Sequence, residues 1–184
     1  MGITIFIAGA YGTGKSILCG RLSTIMQIPF FSAGDLISEI NGEHYGANKA
    51  ATDKNRNQIL LADKVQELNQ IYSRIILAGH FCIFNNSNEV ETLPASVFYN
   101  LNIEQIVLLE ANEDIIAKHL QKRDGKEYSF ESIHQLIIAE RKQSKEITNE
   151  LNCRLCTYQM TFSDEDACTV INFLRKGDYY ASFA

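Results

Sequence analysis

Ile3-Thr4-Ile5-Phe6-Ile7-Ala8-Gly9-Ala10-Tyr11-Gly12-Thr13-Gly14-Lys15-Ser16 opens the chain, and its reading decides the fold. Residues 3–8 form a short, β-branched apolar run of the kind used by a parallel strand buried on both faces. Residues 9–16 match G-x-x-x-x-G-K-[ST] in full. The stretch 16–26 places Ile17, Leu18, Leu22 and Ile25 on one helical face. Strand, glycine loop and helix together form a cradle for phosphate. The glycines let backbone N–H groups point inward, and the helix start adds its positive dipole end. Gly9, Ala10, Tyr11, Gly12, Thr13, Gly14, Lys15, Ser16 and Ile17 are therefore expected to bind ATP. Lys15 is expected to reach the terminal phosphates and the Ser16 hydroxyl to ligate Mg²⁺.

Working outward, apolar runs alternate with helical patterns. Strands are expected at 28–32, 74–78, 106–109 and 155–161, and helices at 36–40, 54–72, 113–123 and 131–151. Ala33-Gly34-Asp35 reads as a tight turn, and Ile59, Leu60, Ala62, Val65 and Leu68 as the buried stripe of the third helix. Ser163-Asp164-Glu165-Asp166 signals a last helix start, and Lys176-Gly177 its end. Residues 41–53 are polar, a loop or flap. The expected fold class is α/β: a three-layer α/β/α domain of the phosphate-loop NTPase type, with a five-stranded parallel sheet and a short lid. All of 1–184 is expected to form one domain, with an acceptor-binding flap at about 35–72 and a lid at about 122–130. Ligands belong at the carboxyl ends of its strands.

Composition bounds the function. The chain has 184 residues, 46% hydrophobic and 21% charged, which is enough for one well-buried core. A net charge of −5 argues against sequence-independent nucleic-acid binding. No apolar run approaches a membrane span, and the apolar start lacks a basic leader, so a cytoplasmic location is expected. The five cysteines are an odd number without a secretory signal and read as reduced thiols. Cys153-Arg154-Leu155-Cys156 lacks the second ligand pair of a zinc site.

Three further stretches carry a resemblance. Phe31-Ser32-Ala33-Gly34-Asp35-Leu36-Ile37 resembles the acceptor-binding turn of nucleoside monophosphate kinases. The run from Ile106 to Ile116, with the basic stretch ending in Arg123-Asp124, is similar to the strand and lid entrance of archaeal-type adenylate kinases. Leu77-Ala78-Gly79-His80, with Leu93-Pro94 beyond, resembles that family's third strand and trailing loop. The resemblance implies ATP- and Mg²⁺-dependent phosphoryl transfer to a nucleoside monophosphate or similar small acceptor. It implies that Arg123 and Arg141 join Lys15 around the moving phosphoryl group, as forked guanidinium groups suit that task. It implies that Arg56 clamps the acceptor phosphate. Asp35 hydrogen-bonds the acceptor, orients a Mg²⁺-bound water or caps its helix, and His80 partners the loop or packs. Lys118 and Lys122 read as surface lysines, and Arg74 as structural.

The chain departs from that family at Ala78-Gly79-His80, where an aspartate is usual. Asp35 or Glu110 could help hold the metal instead. The amide-rich Asn85-Asn86-Ser87-Asn88 reads either as a base-reading edge or as a solvated turn. A second class of function fits the lost carboxylate: a nucleotide-binding regulator or slow ATPase acting with a protein partner, for which the aromatic tail at 179–183 could be the docking segment. No N-K-x-D stretch supports guanine specificity.

Overall fold

The architecture comes from a computed structural model, which describes residues 2–41, 54–85, 87, 89–125 and 127–181, with backbone alone for 54, 55 and 176–181. In chain order the elements are β1 (Ile3–Gly9), α1 (Lys15–Met26), β2 (Phe30–Ser32), α2 (Ala33–Ile40), α3 (Lys54–Ile71) and β3 (Arg74–Ala78). They continue as β4 (Cys82–Phe84), β5 (Val90–Thr92), α4 (Ser96–Tyr99), β6 (Ile103–Glu110), α5 (Glu113–Asp124), α6 (Phe130–Leu151), β7 (Arg154–Gln159) and α7 (Glu165–Ala181). Five strands form one sheet in the order β2-β3-β1-β6-β7, every pairing parallel, as the alternating pattern predicts.

The site lies where this order puts it. β1 is central and almost wholly buried, because α1 packs with α7 while α6 packs with α5 and against β6. Ile7 and Ser32 both pair with Ala78, and Gly9 pairs with Leu109, so the loop after β1 rises from the middle of the carboxyl edge. Gly9 holds φ +145°, and a Cβ there would lie 2.4 Å from the Leu109 carbonyl oxygen. Only glycine lets β1 run this close to β6 before the chain turns.

Several sequence expectations shift. Ala33-Gly34-Asp35 is the first turn of α2, not a turn before it, because the Ser32 hydroxyl accepts a hydrogen bond from the Asp35 N–H (3.3 Å) and caps the helix early. Ile17 and Ile25 are 68% and 51% exposed, so the buried face of α1 is Leu18, Cys19 and Leu22. In α3 Ile59 is 64% exposed and Leu61 is buried instead. The last helix runs past Lys176-Gly177 to Ala181.

The antiparallel hairpin β4–β5 and the short α4 were not anticipated. The Asn85 side chain closes the hairpin by accepting the N–H groups of Ser87 and Glu89, both at 2.9 Å. Asn85 and Ser87 thus serve a turn, and residues 86 and 88 lie outside the described residues. So do most of the expected 41–53 flap and the end of the aromatic tail.

Candidate active site

β1 delivers the phosphate loop and Gly14, in a left-handed conformation (φ 86°), starts α1. Thr13 is buried and its hydroxyl donates to the Ala10 carbonyl (2.9 Å), tying the loop's two limbs together. Lys15 is half-buried and its Nζ donates to Gly9 O (2.8 Å) and Ala10 O (2.9 Å). The ammonium thus sits over the nest, held by carbonyls that phosphate oxygens can replace. Ser16 and Ile17 are exposed at the first turn of α1. In front of them opens a cleft of about 690 Å³, bordered by Lys15, Ser16, His80, His119, Arg123 and Phe162 among others.

Sequence reading missed Glu140. It lies on α6, is 1% exposed, and its Oε1 accepts the N–H groups of Phe81 and Cys82, both at 3.0 Å. His80 Nδ1 is 3.6 Å from the same oxygen. Glu140 also acts on Lys15 through space. Burial drives the Glu140 pKa up to about 7, opposed by Lys15 and the two backbone N–H groups. Burial drives Lys15 down to about 8, opposed chiefly by the Glu140 charge. A lone Glu inside the helical pattern 131–151 gave no hint of this, since burial of one helix position depends on what packs against it.

The strand-end carboxylate has a steric reason for its absence. A Cβ at Gly79 would lie 2.7 Å from the Phe6 ring, which packs edge-on to Phe81 and Phe98. Phe6 occupies the space that a side chain at Gly79 would need.

Beside the loop, four rings line up. Tyr11 lies 4.1 Å from His80 and 5.8 Å from Phe84, and Phe84 lies 5.8 Å from Tyr128 (centroid distances). The Arg123 guanidinium is 5.5 Å from the Tyr11 ring centre and forks onto Asp124, with two contacts of 2.6 Å. Asp124 also accepts the Tyr128 hydroxyl (2.7 Å). Arg123 is therefore placed at the cleft, and Lys122 borders it too.

Other expected residues are placed differently. Arg141 forks onto Glu110 at the end of β6 (2.7 and 2.9 Å) and does not border the cleft, so the Glu110 carboxylate is engaged by an arginine. Asp35 is exposed in the first turn of α2 and Arg56 is exposed near the start of α3; neither borders the cleft. For Mg²⁺, the residue that fits is Ser16, open to the cleft; no cluster of three His, Cys, Asp or Glu side chains is present among the described residues. A cation there would be shared between Ser16 and phosphate oxygens, and would supply charge neutralisation.

The far end of the cleft is built from residues without a motif. His119 donates from Nδ1 to the Gly12 carbonyl (2.7 Å), which leaves Nε2 without that proton in the neutral ring, and its ring is edge-on to Phe162. Phe162 adopts a left-handed φ of 61°. Asp166, buried at the start of α7, accepts the Tyr158 hydroxyl (2.8 Å), the Thr161 N–H (3.1 Å) and the Thr161 hydroxyl (2.6 Å). Burial alone would raise its pKa, but the Thr161 and Tyr158 hydrogen bonds outweigh burial and hold it below the usual value. All five cysteines are free thiols, and burial pushes Cys19 and Cys82 up to about 12.

Among the described residues no helix is long and apolar enough to cross a membrane. The fold has solved counterparts. Shikimate kinase from Bacteroides thetaiotaomicron matches with a TM-score of 0.62 at 16% identity, covering 95% of this chain and 96% of that one. Shikimate kinase from Aquifex aeolicus gives 0.62 at 15% identity, with 97% and 99% covered. A gluconokinase from Sinorhizobium meliloti gives 0.58 at 12% identity, with 98% and 97% covered. At such identities the likeness is one of fold. A search of the curated proteins finds no match. The family model described as AAA domain matches residues 8–136, from the end of β1 through the phosphate loop and into α6, and the chain belongs to that family of phosphate-loop domains.

Proposed function

We propose that the protein transfers the γ-phosphoryl group of ATP to a small acceptor. The observation that carries this reading is the phosphate loop itself: Lys15 poised on loop carbonyls it can exchange for phosphate oxygens, at one wall of a cleft of about 690 Å³ that Arg123 also borders. Phosphoryl transfer needs positioning and positive charge more than covalent chemistry, and these groups supply both. Gly9 to Ile17 bind the nucleotide, with Mg²⁺ on Ser16. Lys15 and Arg123 face the transferred group. Arg141 joins them once its pair with Glu110 opens, as closure of a lid at about 122–130 could bring about. Asp35, Arg56 and His80 belong to the acceptor side, in the 35–72 flap and at the β3 exit.

Two acceptor classes merit the first test. Nucleoside monophosphates follow from the resemblance to archaeal-type adenylate kinases. Small hydroxy acids follow from the solved neighbours, since two are shikimate kinases and one a gluconokinase. The measurement is ADP release from Mg·ATP across both panels, with a no-acceptor control. Stimulation by members of one panel establishes the transferase and its acceptor class.

One observation favours a second reading, a nucleotide-binding regulator or slow ATPase with a protein partner. Arg123 and Arg141 are both held by carboxylates, and β3 ends without an acid. Slow, acceptor-independent ADP release would select it.

A further inference from the structure

Glu140 has a cost that folding does not explain. α6 buries Ile133, Leu136 and Ile147 along the same helix, and an apolar side chain at 140 would pack there without stranding a charge. The carboxylate instead reaches the segment leaving β3, where its Oε1 takes two consecutive N–H groups, those of Phe81 and Cys82. Its Oε2 is buried with no hydrogen-bond partner among the described residues. Beside it lies a cavity of about 10 Å³ shared with Ala10 and Thr13, so the side chain and the phosphate loop face a common space.

The segment it grips is the one that frames the loop. His80 precedes the two bonded N–H groups, and its ring lies on Tyr11 of the phosphate loop at 4.1 Å. Phe84, two residues beyond Cys82, also stacks with Tyr11, at 5.8 Å. Gly79 cannot carry a side chain against Phe6, so no side chain at that position can hold this segment. The anchor comes from α6, the helix that follows the lid.

We infer that Glu140 is a positioning residue for phosphoryl transfer, which fixes the β3 exit from α6 and thereby sets the His80–Tyr11–Phe84 wall against which the phosphate loop works. The inference rests on the kinase reading above, and adds a residue that neither the loop motif nor the family resemblance marks. It also ties the middle of α6 to both strands that flank β1, because Arg141, the next residue, grips the end of β6 on the other side of β1.

The test is Glu140→Gln, read against Gln143→Met as a structural control. Gln143 is buried on the same helix and donates to the Leu93 carbonyl (3.3 Å), away from the loop. The amide of Glu140→Gln keeps an oxygen facing both N–H groups, so the fold is retained, but above pH 7, where Glu140 is ionised and the assay is run, a neutral acceptor holds them more weakly. We expect kcat to fall at least about tenfold with the KM for ATP changed less than about twofold, since small misplacements act on the transition state. Gln143→Met should lower the melting temperature without changing kcat measured well below it. Unchanged kcat in Glu140→Gln overturns the inference, as does a loss that merely tracks melting temperature as in the control. A readout that needs no acceptor is the His80 ring resonance on adding Mg·ATP, expected to shift in the wild type and to respond differently in Glu140→Gln; identical responses overturn the inference. A wild type that binds no ATP at all sinks the kinase reading instead.

Discussion

Lys15 is the residue on which the nucleotide reading stands. Its ammonium donates to two loop carbonyls, so Lys15→Ala removes a charge from the reaction without removing a packing element. Turnover should drop about a hundredfold or more, the usual scale for one preorganised charge. Unchanged turnover in purified mutant protein would assign the activity elsewhere. The Lys15–Glu140 couple also writes a pH signature into stability. The folded chain keeps the Glu140 proton up to about pH 7, whereas an unfolded chain releases it near 4.5. Stability from this group is complete below the unfolded value and is lost as pH rises through that window. Lys15 has the opposite slope: it is released near 8 when folded and near 10.5 when unfolded, so stability rises with pH across that range. Urea unfolding of the wild type and Glu140→Gln at closely spaced pH values checks the first slope, which should flatten in the variant between pH 5 and 7.

At the scale of elements, the ends of the strands decide what chemistry is possible. β3 ends in Ala78-Gly79 because Phe6, from the centre of β1, fills the space beyond it. Gly79→Ala should therefore destabilise the fold by about 1–3 kcal/mol through overpacking, read from the urea midpoint. Wild-type stability in that variant would mean that Phe6 moves freely. Two helix ends are closed locally: the Ser129 hydroxyl accepts the Ser132 N–H (3.0 Å) at the start of α6, and Gly125 closes α5 in the left-handed region. Ser129→Ala should cost about 1 kcal/mol in the same assay. Both helices were legible as elements because periodicity is local. The hairpin β4–β5 was not, since three-residue strands have too short a pattern to stand out, and Asn85 closes it through a side-chain turn that composition alone cannot tell from an open loop.

For the whole molecule, ligand binding and stability are one quantity. A nucleotide that binds only the folded chain should add about 2.7 kcal/mol at a hundredfold excess over its Kd. For a chain of this length that is a rise in Tm of about 5–10 °C with Mg·ATP. Lys15→Ala should lose most of the shift, and no shift in the wild type would sink the nucleotide reading. The phosphate loop, the five parallel strands and the long α6 were determined by the amino-acid sequence itself, because a glycine pattern, an apolar run and a 3.6-residue period are properties of neighbours along the chain. The partners of charged groups were decided only by the tertiary structure. Glu140 meets Phe81 and Cys82 across 58 and more residues, Arg141 meets Glu110 across 31, and His119 meets Gly12 across 107. Such pairs depend on which helix crosses which strand end, and burial then sets whether a carboxylate is a surface charge or a buried acceptor of backbone N–H groups.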